Sequence, residues 1–167
     1  MQFVRNDGGR AAAGFKGKTG DCVTRAIAIA TGKPYREVYD ALNQMGKSER
    51  IGVRKRGTSS SRDGVYKQTF RRYLKSLGWT WTPTMHIGSG CTVHLVAGEL
   101  PMGRLIVSVS RHLTVVIDHV IHDTFDPQRT ILITENGIQR ITHRCVYGYF
   151  SSPDFTKEKQ YGQSVLL

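Results

Sequence analysis

The chain has 167 residues, of which 39% are hydrophobic and 22% are charged, a composition typical of a single globular domain. No run is long and apolar enough to span a bilayer, and the first residues lack the apolar core of a signal peptide. We therefore expect a cytoplasmic protein without a membrane partner. Three widely spaced cysteines, Cys22, Cys91 and Cys145, do not predict a disulfide framework, and we expect all three to remain thiols.

The net charge of +11 lies entirely in the N-terminal part of the chain. Residues 1–75 contain 17 Lys and Arg against 6 Asp and Glu, whereas residues 76–167 contain 7 of each sign. A basic face of this strength attracts nucleic acid or an acidic protein. The alternative is a basic face that only keeps a small protein in solution.

The N-terminal half predicts three helices after a glycine-rich, irregular segment at residues 5–20. The first covers residues 22–31 and is apolar nearly all round, which predicts a central position. The second covers residues 34–45, with Gly46 expected to end it. The third begins near residues 63–64 and ends at Gly78, and Tyr66 is expected to belong to its buried stripe.

Residues 47–62 separate the second helix from the third and predict a mobile basic loop. They contain six basic residues and one acidic residue, with no apolar period. Arg54, Lys55 and Arg56 are the candidate binding residues for phosphates or an acidic partner. A solvated loop is favoured over a nucleic-acid arm, because no aromatic side chains are interleaved to stack bases.

The C-terminal half predicts short strands with tight connections, which are typical of an antiparallel sheet. The predicted strands cover 79–83, 104–110, 113–117, 120–125, 130–134 and 144–150, with residues 92–96 as a short strand or a turn. Helices followed by a sheet indicate an α+β domain. We expect one domain over residues 1–150 and a frayed tail over residues 151–167.

Cys22 lies on the first turn of the first helix, directly after the predicted N-cap residue Asp21. The Asp21 carboxylate is expected to accept hydrogen bonds from the free amides of that turn. The positive end of the helix dipole favours a thiolate at Cys22, as a cysteine nucleophile requires, although the charge of Asp21 opposes it. The alternative is that Cys22 is a small apolar residue in the core.

The second candidate element is a hairpin around the two-residue loop Asp118-His119. With this loop, residue 117 opposes 120 and residue 115 opposes 122, which places Asp123 diagonally across from His112 on the same face. A His oriented by a carboxylate is the base that a cysteine nucleophile needs. Asp126 is the alternative carboxylate, and an ordinary polar His at a strand end is the alternative interpretation.

A third set of residues has the chemistry of a metal site. Cys91 and His94, together with His143 and Cys145, could supply four zinc ligands, but the second pair does not have the spacing of the usual zinc knuckles. We therefore predict neither a metal nor any other cofactor.

Two stretches, GDCVTRAIAIATG with EVYDAL and SRHLTVVID with IHDT, resemble the papain-like cysteine peptidases. They are most similar to small cysteine-peptidase-like proteins of bacteriophages, and the similarity spans most of residues 6–150. It implies N-terminal helices packed on an antiparallel sheet, with Cys22 as nucleophile, His112 as base and Asp123 as the orienting residue. A related peptidase pattern has an Asp before Pro, which Asp126 also fits.

The family's glutamine before the cysteine is missing from residues 15–21, so the oxyanion would be bound by the Cys22 amide with Lys16, Lys18 or Thr19.

Two hypotheses follow from these residues. The first is a hydrolase that cleaves amide or isopeptide bonds of a protein or peptide substrate, or an acyltransferase with the same three residues. The second is a catalytically inactive papain-like module whose basic half binds nucleic acid or an acidic host protein. Either would act in the cytoplasm of a bacterial host.

Overall fold

The computed structural model describes residues 1–51, 57–135 and 137–154. Within these residues the chain folds into a mixed α+β arrangement of three α-helices, a six-stranded mixed sheet and a separate two-stranded hairpin. The helices are α1 (Cys22–Thr31), α2 (Tyr35–Lys47) and α3 (Lys67–Ser76). The strands are β1 (Gln2–Arg5), β2 (Thr80–Pro83), β3 (Arg104–Val109), β4 (His112–Ile117), β5 (Val120–Asp123), β6 (Thr130–Glu135), β7 (Ile138–His143) and β8 (Val146–Ser151).

Helix α1 is central, as its apolar circumference predicts, and it packs against α2 and against β3, β4 and β5. It ends at Gly32, whose left-handed backbone carries a hydrogen bond to the Ala28 carbonyl. Helix α2 extends past its predicted end and includes Gly46 in its last turn. Because Gly46 has no side chain, the Ser59 backbone can approach the helix there. Helix α3 starts later than predicted. Tyr66 precedes it and is 41% exposed rather than part of the buried stripe.

The main sheet has the order β1-β5-β4-β3-β8-β2. The predicted hairpin register is correct, with Ile117 opposite Val120 and Val115 opposite His122, and both loop residues adopt positive φ. The prediction of a purely antiparallel sheet is wrong at one edge, because β1 pairs in parallel with β5. The signal for β1 is weak, since four residues before a glycine-rich segment pair with a strand more than a hundred residues away.

The two faces of the sheet carry two separate cores. The helices cover one face with a cluster that includes Ile27, Leu42, Leu74 and Val115. The other face is covered by the connection before β3, through Leu95 and Leu100 and their neighbours. Strands β3 and β4 are therefore buried on both sides, which holds the start of β4 rigidly against the N-terminus of α1.

Cys91 and Cys145 form a disulfide, so the expectation of three thiols is wrong, and Cys22 is the free cysteine. Backbone hydrogen bonds from Leu95 to Arg144 and from Val146 to Val93, both 2.8 Å, align the two segments and bring the cysteines' Cα atoms to 5.8 Å. The paired sulfurs are not available as zinc ligands, and His94 contacts Glu99 instead.

The described ends of the predicted basic loop are tied to the helices. The Ser59 amide and hydroxyl donate to Glu49 at 2.8 and 2.5 Å, and the buried Ser61 hydroxyl donates to the Tyr39 carbonyl at 2.7 Å. Arg54, Lys55 and Arg56 lie outside the described residues, as does the tail beyond residue 154. No helix among the described residues has the length and apolarity to cross a membrane.

Candidate active site

Cys22 is the first residue of α1, at the positive end of the helix dipole. The predicted capping interaction is wrong: Asp21 occupies the N-cap position, but its side chain makes no capping hydrogen bond. The amides of the first turn therefore receive no side-chain cap from Asp21.

The Asp21 carboxylate turns away from the helix end and into a cluster of charged and polar groups. It forms ion pairs with Arg25, one helical turn along, and with Arg10 at 3.3 Å, and it accepts a hydrogen bond of 2.5 Å from the Tyr35 hydroxyl. Two cations and a phenol provide charge-assisted bonds that outcompete the helix amides. Asp21 is 1% exposed and pairs with two arginines, so its charge opposes a thiolate at Cys22 less than an unpaired carboxylate would.

His112 and Asp123 meet as the hairpin register predicts. The His112 Nε2–H donates to the Asp123 carboxylate at 2.6 Å, between the start of β4 and the end of β5. Two backbone amides hold Asp123 in place. Its carbonyl accepts a hydrogen bond from the Asn6 amide, just after β1, and its carboxylate accepts one from the Thr124 amide at 2.7 Å. Phe125 packs against the His112 ring at 4.9 Å and completes this face.

Cys22 and His112 line the same cleft, and each side chain shifts the pKa of the other. Burial alone would raise the pKa of the Cys22 thiol. The bond to His112, a hydrogen bond from the Leu113 amide and the charges of His112 and Arg25 outweigh burial and lower that pKa below its ordinary value. The arrangement favours a thiolate paired with an imidazolium.

The same contacts shift the pKa values of His112 and Asp123. Burial disfavours the charged imidazole, but the hydrogen bonds to Asp123 and Cys22 prevail and raise the pKa of His112 to about 9. Burial likewise opposes ionisation of Asp123, and the bond from His112 with the neighbouring positive charge keeps the pKa of that carboxyl below its usual range. Both groups are thus charged near neutral pH.

Asp126, the alternative carboxylate, does not contact His112. It is exposed, and its carboxylate accepts hydrogen bonds from the Gln128 amide at 2.9 Å and from the Gln128 side chain at 3.1 Å. The chain has left the strand after Asp123, so Asp126 turns toward this local loop instead of toward His112.

The Cys22–His112 pair lines an open cleft of about 470 Å³ between α1, α3 and the start of β4. This volume lies in the range of small-ligand and peptide subsites. The cleft has an apolar floor that includes Val65, Phe70 and Leu113, and basic groups on its rim at Lys67 and Arg111. A substrate backbone could therefore lie beside the sulfur with an apolar side chain below it.

The oxyanion donors expected from the segment before Cys22 are not in place. The Thr19 hydroxyl donates to the Arg62 carbonyl at 2.6 Å, so its proton is already used. Lys16 and Lys18 are exposed and do not line the cleft, and their carbonyls receive the Arg62 guanidinium. Of the donors that the sequence offers, the Cys22 amide at the start of α1 is left as the candidate.

Three contributors to the site are absent from the sequence-based prediction. The helical spacing of Arg25 from Asp21 could have indicated the ion pair that places a cation near Cys22. The Leu113 amide and the Arg10–Tyr35 side of the cluster carry no local signal, because they arrive from other elements.

Comparisons of the chain with protein-family models, with curated proteins and with solved structures gave no match.

Proposed function

We propose that this protein is a thiol hydrolase of papain-like type that uses Cys22, His112 and Asp123. The observation that supports it is the His112 ring, which binds the Asp123 carboxylate at 2.6 Å and lines the same cleft as Cys22, the thiol whose pKa it lowers. A buried cysteine that serves only as core filler needs neither a charged imidazole nor a helix N-terminus beside it.

In the first half of the reaction, the Cys22 thiolate attacks the carbonyl carbon of an amide bond. The electron pair of the carbonyl moves to oxygen, and the Cys22 amide at the start of α1 donates to that oxygen. The His112 imidazolium then gives its proton to the leaving nitrogen as the carbon–nitrogen bond breaks. The products are a free amine, a thioester on Cys22 and a neutral His112.

In the second half, His112 accepts a proton from water while the water oxygen attacks the thioester. The carboxylic acid leaves, and the thiolate–imidazolium pair is restored. Asp123 holds the ring and stabilises its positive charge throughout. An amine in place of water would give acyl transfer, so peptidase, isopeptidase and acyltransferase activities share this proposal.

The decisive measurement is the release of p-nitrophenolate from p-nitrophenyl acetate, with mass spectrometry to locate the acetyl group. We expect acetylation of Cys22 and turnover, with turnover lost in Cys22→Ala and reduced at least about 100-fold in His112→Ala, the usual contribution of a general base.

Alkylation by low concentrations of iodoacetamide provides the control. With the disulfide opened by a phosphine reductant, all three cysteines compete, and Cys22 should be labelled ahead of Cys91 and Cys145. Equal and slow labelling of the three would refute the hydrolase proposal and favour the catalytically inactive binding module.

A further inference from the structure

Helix α3 carries a row of three cations. Lys67, Arg71 and Lys75 are spaced four residues apart and therefore lie along one line of the helix, which contains no acidic residue. Among the described residues, no ion pair joins Arg71 or Lys75 to a carboxylate, and the buried Nε of Arg71 has no hydrogen-bond partner. The row therefore presents positive charge that the fold itself does not neutralise.

An aromatic surface from β2 lies directly beside this row. The Arg71 guanidinium lies over the face of the Trp81 ring, 4.5 Å from its centroid. The ring is held from below by Phe150 at 4.7 Å, and it fills the space over Gly148, where a Cβ would come within 2.4 Å of it. Trp81 is therefore a fixed platform rather than a side chain free to change rotamer.

The cations and the aromatic rings together line an open pocket of about 410 Å³, formed by Arg71, Lys75, Trp79, Trp81 and Phe150 with their neighbours. Trp79 and Phe150 are buried and form the floor of the pocket, so the half-buried Trp81 is the ring that a planar group can contact, and the two cations accept an anion attached to that group. A nucleobase with its phosphate has this combination of properties. Its two cations, Arg71 and Lys75, belong to the N-terminal part of the chain that carries the net charge of the protein.

We propose that this pocket and the row on α3 bind single-stranded nucleic acid, with a base held in the pocket by Trp81 and the Arg71 guanidinium that lies over it, and phosphates on Arg71 and Lys75. A single strand is favoured over a duplex because only an unpaired base can leave its neighbours and enter the pocket. It is favoured over an acidic polypeptide because a carboxylate chain has no ring for the fixed aromatic wall. The proposal is independent of the thiol chemistry at Cys22.

Fluorescein-labelled decathymidylate is the probe, and its anisotropy gives the dissociation constant at several salt concentrations. Arg71→Ala and Lys75→Ala should each weaken binding and reduce the slope of log K against log salt by about 0.7, the value for one contact to a single-stranded phosphate. Trp81→Ala should weaken binding roughly five- to hundredfold, the range for a lost stacking contact. Trp81→Phe, which keeps an aromatic ring in the core, should give an intermediate loss and covers the case of a misfolded alanine variant.

The matched controls separate stacking from charge. Lys47→Ala removes one exposed cation at the end of α2, and Cys22→Ala removes the thiol; neither should change the affinity by more than about twofold. An abasic strand of equal length should bind more weakly than decathymidylate, and free thymidine monophosphate more weakly still. Both tryptophans of the chain line the pocket, so the intact strand should also quench the intrinsic fluorescence.

Three results would overturn the proposal: an abasic strand that binds as tightly as decathymidylate, poly-glutamate that competes equally at matched charge, or an equal loss in Lys47→Ala and Lys75→Ala. The first two would indicate an unspecific basic surface. The third would indicate that a cation contributes equally to binding wherever it lies on the surface.

Discussion

Cys22 illustrates how single contacts change the chemistry of one residue. Its burial opposes ionisation, while His112, the Leu113 amide and Arg25 promote it, and the promoting contacts prevail. Asp21, the nearest negative charge, is occupied by Arg10 and Arg25. The thiolate is thus favoured by geometry that extends over three elements rather than by the helix dipole alone.

The first prediction concerns the pH dependence of this thiol. The rate of iodoacetamide alkylation follows the thiolate fraction, so it should rise through a midpoint below the ordinary cysteine pKa of 9.0. His112→Ala removes both a hydrogen bond and a positive charge, and the midpoint should move upward. A midpoint that is the same in both proteins would contradict the proposed pair.

The second prediction compares the two carboxylates. Asp123→Asn removes the charge that stabilises the His112 imidazolium, so the pKa of His112 should fall from about 9 toward 6.5. Esterase turnover should fall about 100-fold or more, by analogy with other triads whose orienting Asp becomes Asn. The NMR titration of the His112 ring protons measures the first effect.

Asp126→Asn is the matched control, because it makes the same chemical change three residues away at a carboxylate that contacts Gln128. Neither the titration nor the turnover should change. A response to Asp126→Asn equal to that of Asp123→Asn would assign the role to the alternative carboxylate.

At the scale of the elements, the connection between α2 and the segment before α3 depends on one close approach. Gly46 is buried in the last turn of α2, and a Cβ there would lie 2.5 Å from the Ser59 carbonyl oxygen. Ser59 is in turn bound by Glu49, which also accepts from Thr69 of α3. The packing of three segments is therefore linked through this contact.

The third prediction is that Gly46→Ala destabilises the protein, although alanine in a helix normally gains about 1 kcal/mol over glycine. The overlap with Ser59 should reverse the sign and cost about 1–3 kcal/mol in the free energy of unfolding, as overpacking usually does. Urea denaturation gives the value. Gly98→Ala, where a Cβ meets nothing within 4 Å, should be nearly neutral.

The elements also explain which parts of the fold the sequence indicated. The helix spacing of α1 and the two-residue loop of the β4–β5 hairpin are local signals, and both predictions are correct. The sequence carries no such signal for strand β1 or for strand β7, which pairs with β6. Strand β1 matters to the site because it pairs beside β5, and the Asn6 amide that follows it holds the Asp123 backbone.

At the scale of the whole molecule, the disulfide joins the connection before β3 to the start of β8 across the second core. The cysteines are 54 positions apart in the chain, and the bond closes a loop that contains the five strands from β3 to β7. Cross-linking a loop of this length restricts the unfolded chain substantially.

The fourth prediction follows from this loop. Replacement of both Cys91 and Cys145 by Ser should lower the free energy of unfolding by about 2–4 kcal/mol, the usual loss for a native disulfide. Iodoacetamide should still label Cys22 at the original rate, because the disulfide lies outside the cleft. Unchanged stability in denaturant would show that the bond does not form in solution.

The sequence by itself determined the features that depend on neighbouring residues: the α+β class, the position of Cys22 at a helix start, the hairpin register that faces His112 with Asp123, and the location of the charge. Only the tertiary structure decided how distant segments meet. In the tertiary structure Asp21 pairs with two arginines instead of capping α1, and Cys91 is bonded to Cys145. Asp126 contacts Gln128 instead of His112, and Trp81 lies beside Arg71 of α3. Local patterns encode backbone geometry and which face is buried, whereas contacts between distant segments depend on how the whole chain packs.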